Sequence, residues 1–217
     1  MVLPTNLCYY DIIHCRTLIS RKKWGAPPVA GTGNTIKICY GEIRTAMEIE
    51  RKFTIKELPE NLESYPFHHI EQGYLNTSPV VRVRKEDDEY ILTYKGSGMM
   101  AREEHNLALN SESYYHLRAK ADGNIISKKR YLIPLKHPSF REGFPLPPAD
   151  YELTIELDVF DPPFAPLITA EVEFGSREAA EAFVPPAWFD EDVTYRKEYH
   201  NSYMAAQPLI ERNTNTE

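Results

Sequence analysis

Charged side chains occupy every second position in several short stretches of this chain, and this alternation limits what it can fold into. The clearest stretch is 47–53, where Glu48, Glu50 and Lys52 would share one face of an extended strand, because successive strand side chains point to opposite faces. In most stretches the intervening residues are apolar or aromatic. The pattern therefore predicts a mainly β fold whose strands each carry one charged face. The other stretches are 81–84, 102–106, 128–131, 156–159 and 170–174.

The alternating charges divide into an acidic group and a basic group. If the strands close into a barrel with these residues inside, the lumen has one acidic flank and one basic flank. Carboxylate oxygens suit hard divalent cations, whereas Arg and Lys side chains bind chains of phosphates. A metal-bound polyphosphate would satisfy both groups. The acidic group is Glu48, Glu50, Glu104, Glu156, Asp158, Glu171 and Glu173, and the basic group is Lys52, Arg82, Arg84, Lys95, Arg102, Lys128 and Arg130.

A simpler structure could also produce such a pattern. A twisted antiparallel sheet can carry ion pairs on its solvated face, and this explains any single pair of alternating charges well. Recurrence in six stretches favours the enclosed lumen instead.

The order of these motifs resembles that of the CYTH superfamily, the triphosphate tunnel metalloenzymes. The segment Glu48-Ile49-Glu50-Arg51-Lys52 is similar to the N-terminal Glu-Xxx-Glu-Xxx-Lys signature of that family. The likeness spans about 47–206, with two departures. Asn106 stands where many relatives have another carboxylate, and Tyr195-Arg196 stands where relatives often carry Gly-Asp. The further matching segments are 81–84, 92–96, 102–104, 128–131, 156–160, 170–173, 188–194 and 199–202.

The resemblance implies a closed eight-stranded antiparallel β-barrel tunnel with a charged lumen and a few flanking helices. It also implies a divalent metal, Mg²⁺ or Mn²⁺, and the hydrolysis or cyclisation of a triphosphate. We expect the seven acidic residues to hold the metal and the seven basic residues to bind substrate. Lys52, Glu171 and Glu173 are the expected catalytic residues, with Lys52 bridging metal and phosphate.

Three functions are compatible with such a tunnel. The first is metal-dependent hydrolysis of a triphosphate, foremost inorganic tripolyphosphate, with release of the terminal phosphate. The second is conversion of ATP to cyclic AMP by a class IV-type adenylate cyclase, but no distinct aromatic or Gly-rich segment offers an adenine pocket. The third is a polyphosphate- or nucleotide-binding module without turnover, which could dispense with the carboxylates. Tripolyphosphate, thiamine triphosphate and nucleoside triphosphates present the same phosphate chain, so the sequence does not choose among them.

Composition differs between the start of the chain and the rest. Residues 1–46 carry six Lys or Arg against Asp11 and Glu42, so the remainder of a chain of net charge −7 is at −11. All three cysteines lie in that first segment without metal-ligand spacing. We expect 1–46 to be an extension upstream of a natural start at Met47, 47–206 to be the tunnel domain, and 207–217 to be a polar tail.

The same features bear on partners and compartment. An acidic domain argues against a nucleic-acid surface, because phosphate backbones are bound by basic faces. No apolar run approaches the roughly 20 residues of a membrane span, and no signal peptide is recognisable. We therefore expect a cytoplasmic protein, with a homodimer possible and neither nucleic acid nor membrane as partner.

Local signals predict the flanking elements. The run 90–95 reads as a strand, and 111–120 reads as a helix capped by Ser111 or Ser113. A second helix over 176–183 has Ser176 as its cap. The proline-rich run 134–150 reads as a long crossover rather than a strand.

Overall fold

The predicted strands are present in the computed structural model, which describes residues 46–145, 147–148 and 150–208. Almost all of the predicted extension 1–46 and most of the predicted tail 207–217 lie outside the described residues. The strands are β1 (Ala46–Ile55), β2 (Phe67–Thr77), β3 (Val80–Glu86), β4 (Glu89–Lys95), β5 (Ala101–Leu109), β6 (Asp122–Lys136), β7 (Ser139–Phe140), β8 (Glu152–Phe160), β9 (Ile168–Glu173), β10 (Phe183–Val184) and β11 (Phe189–Asp192). The helices are α1 (Ser111–Arg118), α2 (Arg177–Ala182) and α3 (Asn201–Ala206), with 3₁₀ turns at Leu62–Ser64 and Lys197–Tyr199.

Strand β1 closes the sheet into a barrel. Its first half pairs with β5, where Glu48 lies opposite Arg102, and its second half pairs with β9, where Lys52 lies opposite Glu171. The strand order is therefore β1-β5-β4-β3-β2-β6-β8-β9 and back to β1, with every neighbouring pair antiparallel. The short strand β11 adds to β1 outside this ring, at Phe53. The predicted closed eight-stranded antiparallel barrel is confirmed.

The alternation of the sequence separates an apolar outer layer from the charged lumen. Leu157 and Val172 lie between charged residues in the sequence and Phe53 directly follows Lys52, and each of the three is at most 1% exposed. They pack with Phe183 and Phe189 from β10 and β11 in one apolar cluster. Burial of apolar surface contributes about 25 cal/mol per Å². The outer layer therefore supplies stabilisation that offsets the cost of enclosing charges in the lumen.

The helix predictions are correct in place, but one cap is wrong. Helix α1 is capped by Asn110, whose side chain accepts a hydrogen bond from the Ser113 backbone N–H at 2.7 Å, so neither Ser111 nor Ser113 is the cap. Asparagine precedes the serines and its amide oxygen reaches the third N–H of the helix. Ser176 caps α2 as predicted, by accepting from the Ala179 N–H at 3.1 Å.

The prediction that 134–150 is entirely crossover is also wrong. Strand β6 continues through Pro134 to Lys136, with Pro134 paired opposite Thr154 of β8. Leu132 donates its N–H to the carbonyl of Pro66, on the side where β2 begins. At Pro134, two residues later, β2 no longer lies beside this edge of β6. The backbone N–H that proline lacks is therefore not needed for a hydrogen bond between strands.

Helix α3 packs across one end of the lumen. Met204 and Ala205 join an apolar cluster with Tyr74, Ile126 and Phe160, which lie on the lumen-facing side of β2, β6 and β8. Gly123 at the start of β6 has a φ of +70°, and a side chain there would collide with the carbonyl of Ala205. Helix α3 is thus packed closely against the start of β6.

None of the described helices has the length and apolar character that a membrane crossing requires.

Candidate active site

All fourteen residues predicted for the site lie on barrel strands at alternating positions. They come from β1, β3, β4, β5, β6, β8 and β9, and two clusters of ion pairs inside the barrel join most of them. Seven of them are at most 7% exposed: Lys52, Arg82, Lys95, Lys128, Arg130, Asp158 and Glu171. Glu173, at the end of β9 opposite Glu50, is exposed.

One cluster of charges surrounds Arg130 of β6. Its guanidinium donates to Asp158 Oδ1 and Oδ2 at 2.7 and 2.6 Å and to Glu171 Oε2 at 2.5 Å, and it also pairs with Glu156. Lys128, two residues earlier on the same face, pairs with Asp158. We call these five residues the Arg130 cluster. Pairing and hydrogen bonding offset much of the cost of burying these charges.

The members of the Arg130 cluster differ in how strongly their surroundings favour the charged form. Burial raises the pKa of Asp158 and of Glu171, but the nearby cations outweigh it, so the pKa of each carboxyl is held below its usual range. Burial, together with the charge of Arg130, lowers the pKa of Lys128 to about 8. Burial raises the pKa of Glu156, at the edge of the cluster.

Lys52 connects this cluster to β1 and to the segment before α3. Its Nζ lies 2.7 Å from Glu171 Oε1 and donates to the backbone carbonyl of Tyr199 at 3.0 Å. Burial lowers the pKa of Lys52, but the carboxylates of Glu171 and Glu50 outweigh burial and raise it. Lys52 is therefore a fixed positive charge inside the barrel.

A second cluster lies where β1, β4 and β5 meet. Lys95 Nζ is 2.5 Å from both Glu48 Oε2 and Glu104 Oε2, and Arg102 Nη2 donates to Glu50 Oε1 at 2.9 Å. Burial and the neighbouring Glu50 raise the pKa of Glu48 to about 7. Burial also opposes ionisation of Glu104, but the Lys95 ammonium prevails and lowers the pKa of Glu104 to about 2. The two carboxyls thus share one cation unequally.

The arginines of β3 are in a different situation. Arg82 is 6% exposed and has no hydrogen bond or ion pair to any described residue. Arg84 reaches only Glu86, at 3.4 Å, and its buried Nε also lacks a partner within the described part of the chain. Burial, followed by the charges of Arg82 and Arg130, lowers the pKa of Arg84. An unpaired buried cation is costly, so this wall of the lumen is suited to an added anion.

The prediction of separate acidic and basic flanks is correct for strand order but wrong for contacts. Basic residues do lie on β3, β4 and β6, and acidic residues on β8 and β9. The long side chains pair along the wall instead, with an adjacent strand or over one intervening strand, as Arg130 of β6 does over β8 with Glu171 of β9. On β3, by contrast, Arg82 has no ion pair with a described residue and Arg84 has only the 3.4 Å contact with Glu86.

Uncharged lumen residues were missed by the sequence analysis. Gln72 of β2 is fully buried opposite Arg84; its Nε2 donates to the Tyr74 hydroxyl at 3.1 Å, and its Oε1 has no partner in the described structure. The two-residue period of β2 could have indicated that Gln72 enters the lumen. Gln72 carries no charge, however, and the prediction was based on charged residues. Asn106, the departure from the family pattern, donates to Glu104 at 2.6 Å rather than replacing a carboxylate.

The carboxylates supply the right donors for a divalent metal but are engaged elsewhere. Oxygen ligands fit Mg²⁺ or Mn²⁺. Within the described residues, however, no group of three or more His, Cys, Asp or Glu side chains is arranged to hold a metal ion. The reason is that Lys or Arg pairs with Glu48, Glu50, Glu104, Glu156, Asp158 and Glu171. The chemistry of the site therefore fits the metal, provided that some of these ion pairs exchange.

Comparison with known proteins identifies the family. The model of the CYTH domain matches residues 46–173. The chain belongs to the CYTH family. Its sequence is 37% identical to the inorganic triphosphatase of Nitrosomonas europaea over 162 residues, which are 73% of this chain and 96% of that protein.

Solved structures agree with this membership. A crystal structure of the inorganic triphosphatase NE1496 superposes with a TM-score of 0.53 at 32% identity, covering 75% of this chain and 96% of that one. A second, described as the hypothetical protein NE1496, has a TM-score of 0.53 at 33% identity, covering 74% and 99%. The CYTH resemblance inferred from the ordered motifs is confirmed.

Proposed function

We propose that this CYTH chain is a metal-dependent hydrolase of linear triphosphates that releases the terminal phosphate, with inorganic tripolyphosphate as its foremost substrate. The observation that carries the proposal is the pair Arg82 and Arg84 on β3. Arg82 is buried without a hydrogen bond or ion pair to a described residue, and half-buried Arg84 has only the 3.4 Å contact with Glu86 and a buried Nε that lacks a described partner. The similarity to an inorganic triphosphatase supports the same reaction.

The basic residues of the lumen would act by binding and orienting the phosphate chain. Arg82 and Arg84 have donors to offer without breaking an existing bond, so they would receive the anion first. Lys52, Lys95, Arg102, Lys128 and Arg130 would then exchange carboxylate contacts for phosphate contacts. A chain held on several sides is kept in line for displacement, and its developing charge is stabilised.

The carboxylates would hold the metal. We expect Mg²⁺ or Mn²⁺ to be bound by carboxylates of the barrel strands, with exposed Glu173 contributing at the end of β9. The other candidate ligands are Glu48, Glu50, Glu104, Glu156, Asp158 and Glu171. When bound, the ion would neutralise phosphate charge and acidify a bound water. Glu171 is the central carboxylate in this proposal, because it contacts both Lys52, the proposed catalytic lysine, and Arg130, a proposed phosphate-binding residue.

The test is phosphate release from tripolyphosphate, thiamine triphosphate and ATP, with Mg²⁺ or Mn²⁺ and with chelator. We expect release only with metal and fastest from tripolyphosphate. Cyclic AMP from ATP would overturn the hydrolase in favour of a cyclase, and tight binding without product would favour a binding module.

Two neighbouring residues on β5 provide a matched pair for the same assay. Glu104 faces the lumen beside Lys95, whereas Glu103 faces outward and pairs with His105. E104Q should reduce turnover strongly and E103Q should not. Equal activities in the two variants would contradict the lumen as the active site.

A homodimer and a cytoplasmic location stay predictions from the sequence. Light scattering on the purified full chain tests the first, and fractionation of cells that express it tests the second.

A further inference from the structure

The Lys52 ammonium is oriented by two partners of different kinds. Glu171 Oε1 lies 2.7 Å from Nζ and the Tyr199 carbonyl accepts from it at 3.0 Å. An ammonium group has three protons, so two fixed partners leave one donor with a set direction. Tyr199 lies in a loop, residues 194–200, that contributes only its backbone to this contact.

That loop is attached to Lys52 at its beginning as well. The Lys52 N–H donates to Thr194 Oγ1 at 3.1 Å, and the Val193 N–H donates to the Lys52 carbonyl at 2.8 Å. Thr194 in turn donates its hydroxyl to Asp192 Oδ1 at 2.5 Å. The beginning of the loop is therefore fixed to the backbone of β1. Its far end contacts β1 through the Tyr199 carbonyl, which accepts from the side chain of Lys52.

One side chain holds the two ends of the loop together. His200 Nε2 lies 2.9 Å from the Thr194 carbonyl. A carbonyl only accepts, so Nε2 carries the proton and donates. Burial and the charge of Lys52 lower the pKa of His200, which agrees with a neutral ring near that ammonium. Within residues 194–200, the imidazole is the side chain that bridges the beginning of the loop to its end.

We propose that His200 is a positioning residue for the reaction: its Nε2–H braces the 194–200 loop so that the Tyr199 carbonyl orients the Lys52 ammonium toward a triphosphate oxygen. This inference rests on the proposed function, because it assigns Lys52 a phosphate contact. His200 itself touches neither phosphate nor metal in this arrangement. Its effect on substrate must therefore pass through Lys52.

The first experiment measures tripolyphosphate binding by calorimetry in the presence of chelator, using the full chain. H200L and H200F remove the donor, and H200F keeps a ring in case H200L folds poorly. H200Q keeps an N–H donor at the end of a side chain of similar reach. We expect the dissociation constant to rise about fivefold in H200L and H200F, because the Lys52 hydrogen bond to phosphate would be misdirected but not deleted, and to stay within about twofold in H200Q.

A double-mutant cycle with K52M distinguishes positioning from general destabilisation. If His200 acts through Lys52, H200L will weaken binding no further in the K52M background. T54V is the matched control, because Thr54 Oγ1 accepts from the Glu191 N–H at 3.1 Å and so also ties β1 to the following segment, without involving Lys52. T54V should lower the melting temperature slightly and leave the dissociation constant unchanged.

The outcomes separate the inference from the proposed function. Wild-type affinity in both H200L and H200F, or equal weakening by H200L with and without Lys52, overturns the role of His200. Tight binding by the wild type with no phosphate release under Mg²⁺ or Mn²⁺ overturns the hydrolase alone, since the binding cycle still decides the role of His200. A wild type that binds tripolyphosphate neither in chelator nor with Mg²⁺ or Mn²⁺ overturns both.

Discussion

Strands β3 and β6 carry the same sequence pattern and use it differently. Each has two basic residues on the lumen face with one residue between them, Arg82 and Arg84 on β3 and Lys128 and Arg130 on β6. On β6 the pair is surrounded by carboxylates from β8 and β9, whereas on β3 the nearest strands bring Gln72 and Thr93 opposite the arginines. The β6 pair is therefore neutralised by the protein, whereas the β3 pair has only the 3.4 Å contact between Arg84 and Glu86 among the described residues.

Removing Arg130 should produce the largest effect on stability. R130M would leave Glu156, Asp158 and Glu171 without their shared cation, and breaking a buried ion pair from one side costs about 3–5 kcal/mol. Urea unfolding of the metal-free protein measures it. K129M is the control, because Lys129 points outward over the Phe67 ring at 4.9 Å. Equal stabilities of R130M and K129M would refute the difference between the two strands.

Ligand should stabilise the protein through the β3 arginines. Tripolyphosphate present at about 100 times its dissociation constant should add about 2.7 kcal/mol to the free energy of unfolding, because it binds only the folded barrel. Thermal unfolding with and without tripolyphosphate, in chelator, measures this gain. A melting temperature that does not rise with ligand concentration would indicate that the β3 wall is not an anion site.

Removing Arg82 should affect binding more than folding. R82M deletes a buried cation that has no partner among the described residues, so the free energy of unfolding should stay the same or increase. The dissociation constant for tripolyphosphate should rise about 10- to 100-fold, from the loss of about 1.5–3 kcal/mol for a hydrogen bond to a charged group. Calorimetry and urea unfolding of one preparation give both values. A loss of stability like that of R130M would make the β3 pair structural.

The second cluster, in which Lys95 lies between Glu48 and Glu104, should give the smallest effect, a pH dependence of stability. The pKa of Glu48 is about 7 in the folded protein against 4.5 as its ordinary value, so the folded state binds the extra proton between these pH values. This contribution is complete below pH 4.5 and is lost as the pH rises through 7. The contribution of Glu104 to stability depends on pH in the opposite direction. Its pKa is lowered to about 2, so its contribution is present above pH 4.5 and is lost as the pH falls through about 2.

The variant E48Q isolates the first of these contributions. Relative to E48Q, the wild type should lose about 2 kcal/mol of stability between pH 4.5 and pH 8, a figure reduced from the full shift because Glu48 and Glu104 share Lys95. Urea unfolding across this pH range in chelator measures the difference. A difference that is constant with pH would mean that Glu48 is ionised throughout, and E103Q should show no such trend.

Much of the lumen could be predicted from the sequence because strand periodicity is local. The face on which Glu48, Glu50 and Lys52 lie depends only on an extended backbone over a few residues. The same reasoning predicted which face carries the charged residues of the other strands. The closed barrel was predicted separately, from the resemblance of the ordered motifs to the CYTH family. Contributions without charge, such as Gln72 and His200, gave no comparable local signal.

The sequence by itself determined which side chains enter the lumen, and only the tertiary structure decided which of them neutralise one another. Lys52 pairs with Glu171, and Arg130 with Glu171 and Asp158, across strands that are far apart in the chain. These contacts depend on strand order and on register, which are set when β1 joins both β5 and β9. Alternation in the sequence specifies which face of a strand a side chain lies on, but long-range strand pairing specifies its partners. Strand pairing therefore decided that Arg82 and Arg84 lack the carboxylates that surround Arg130.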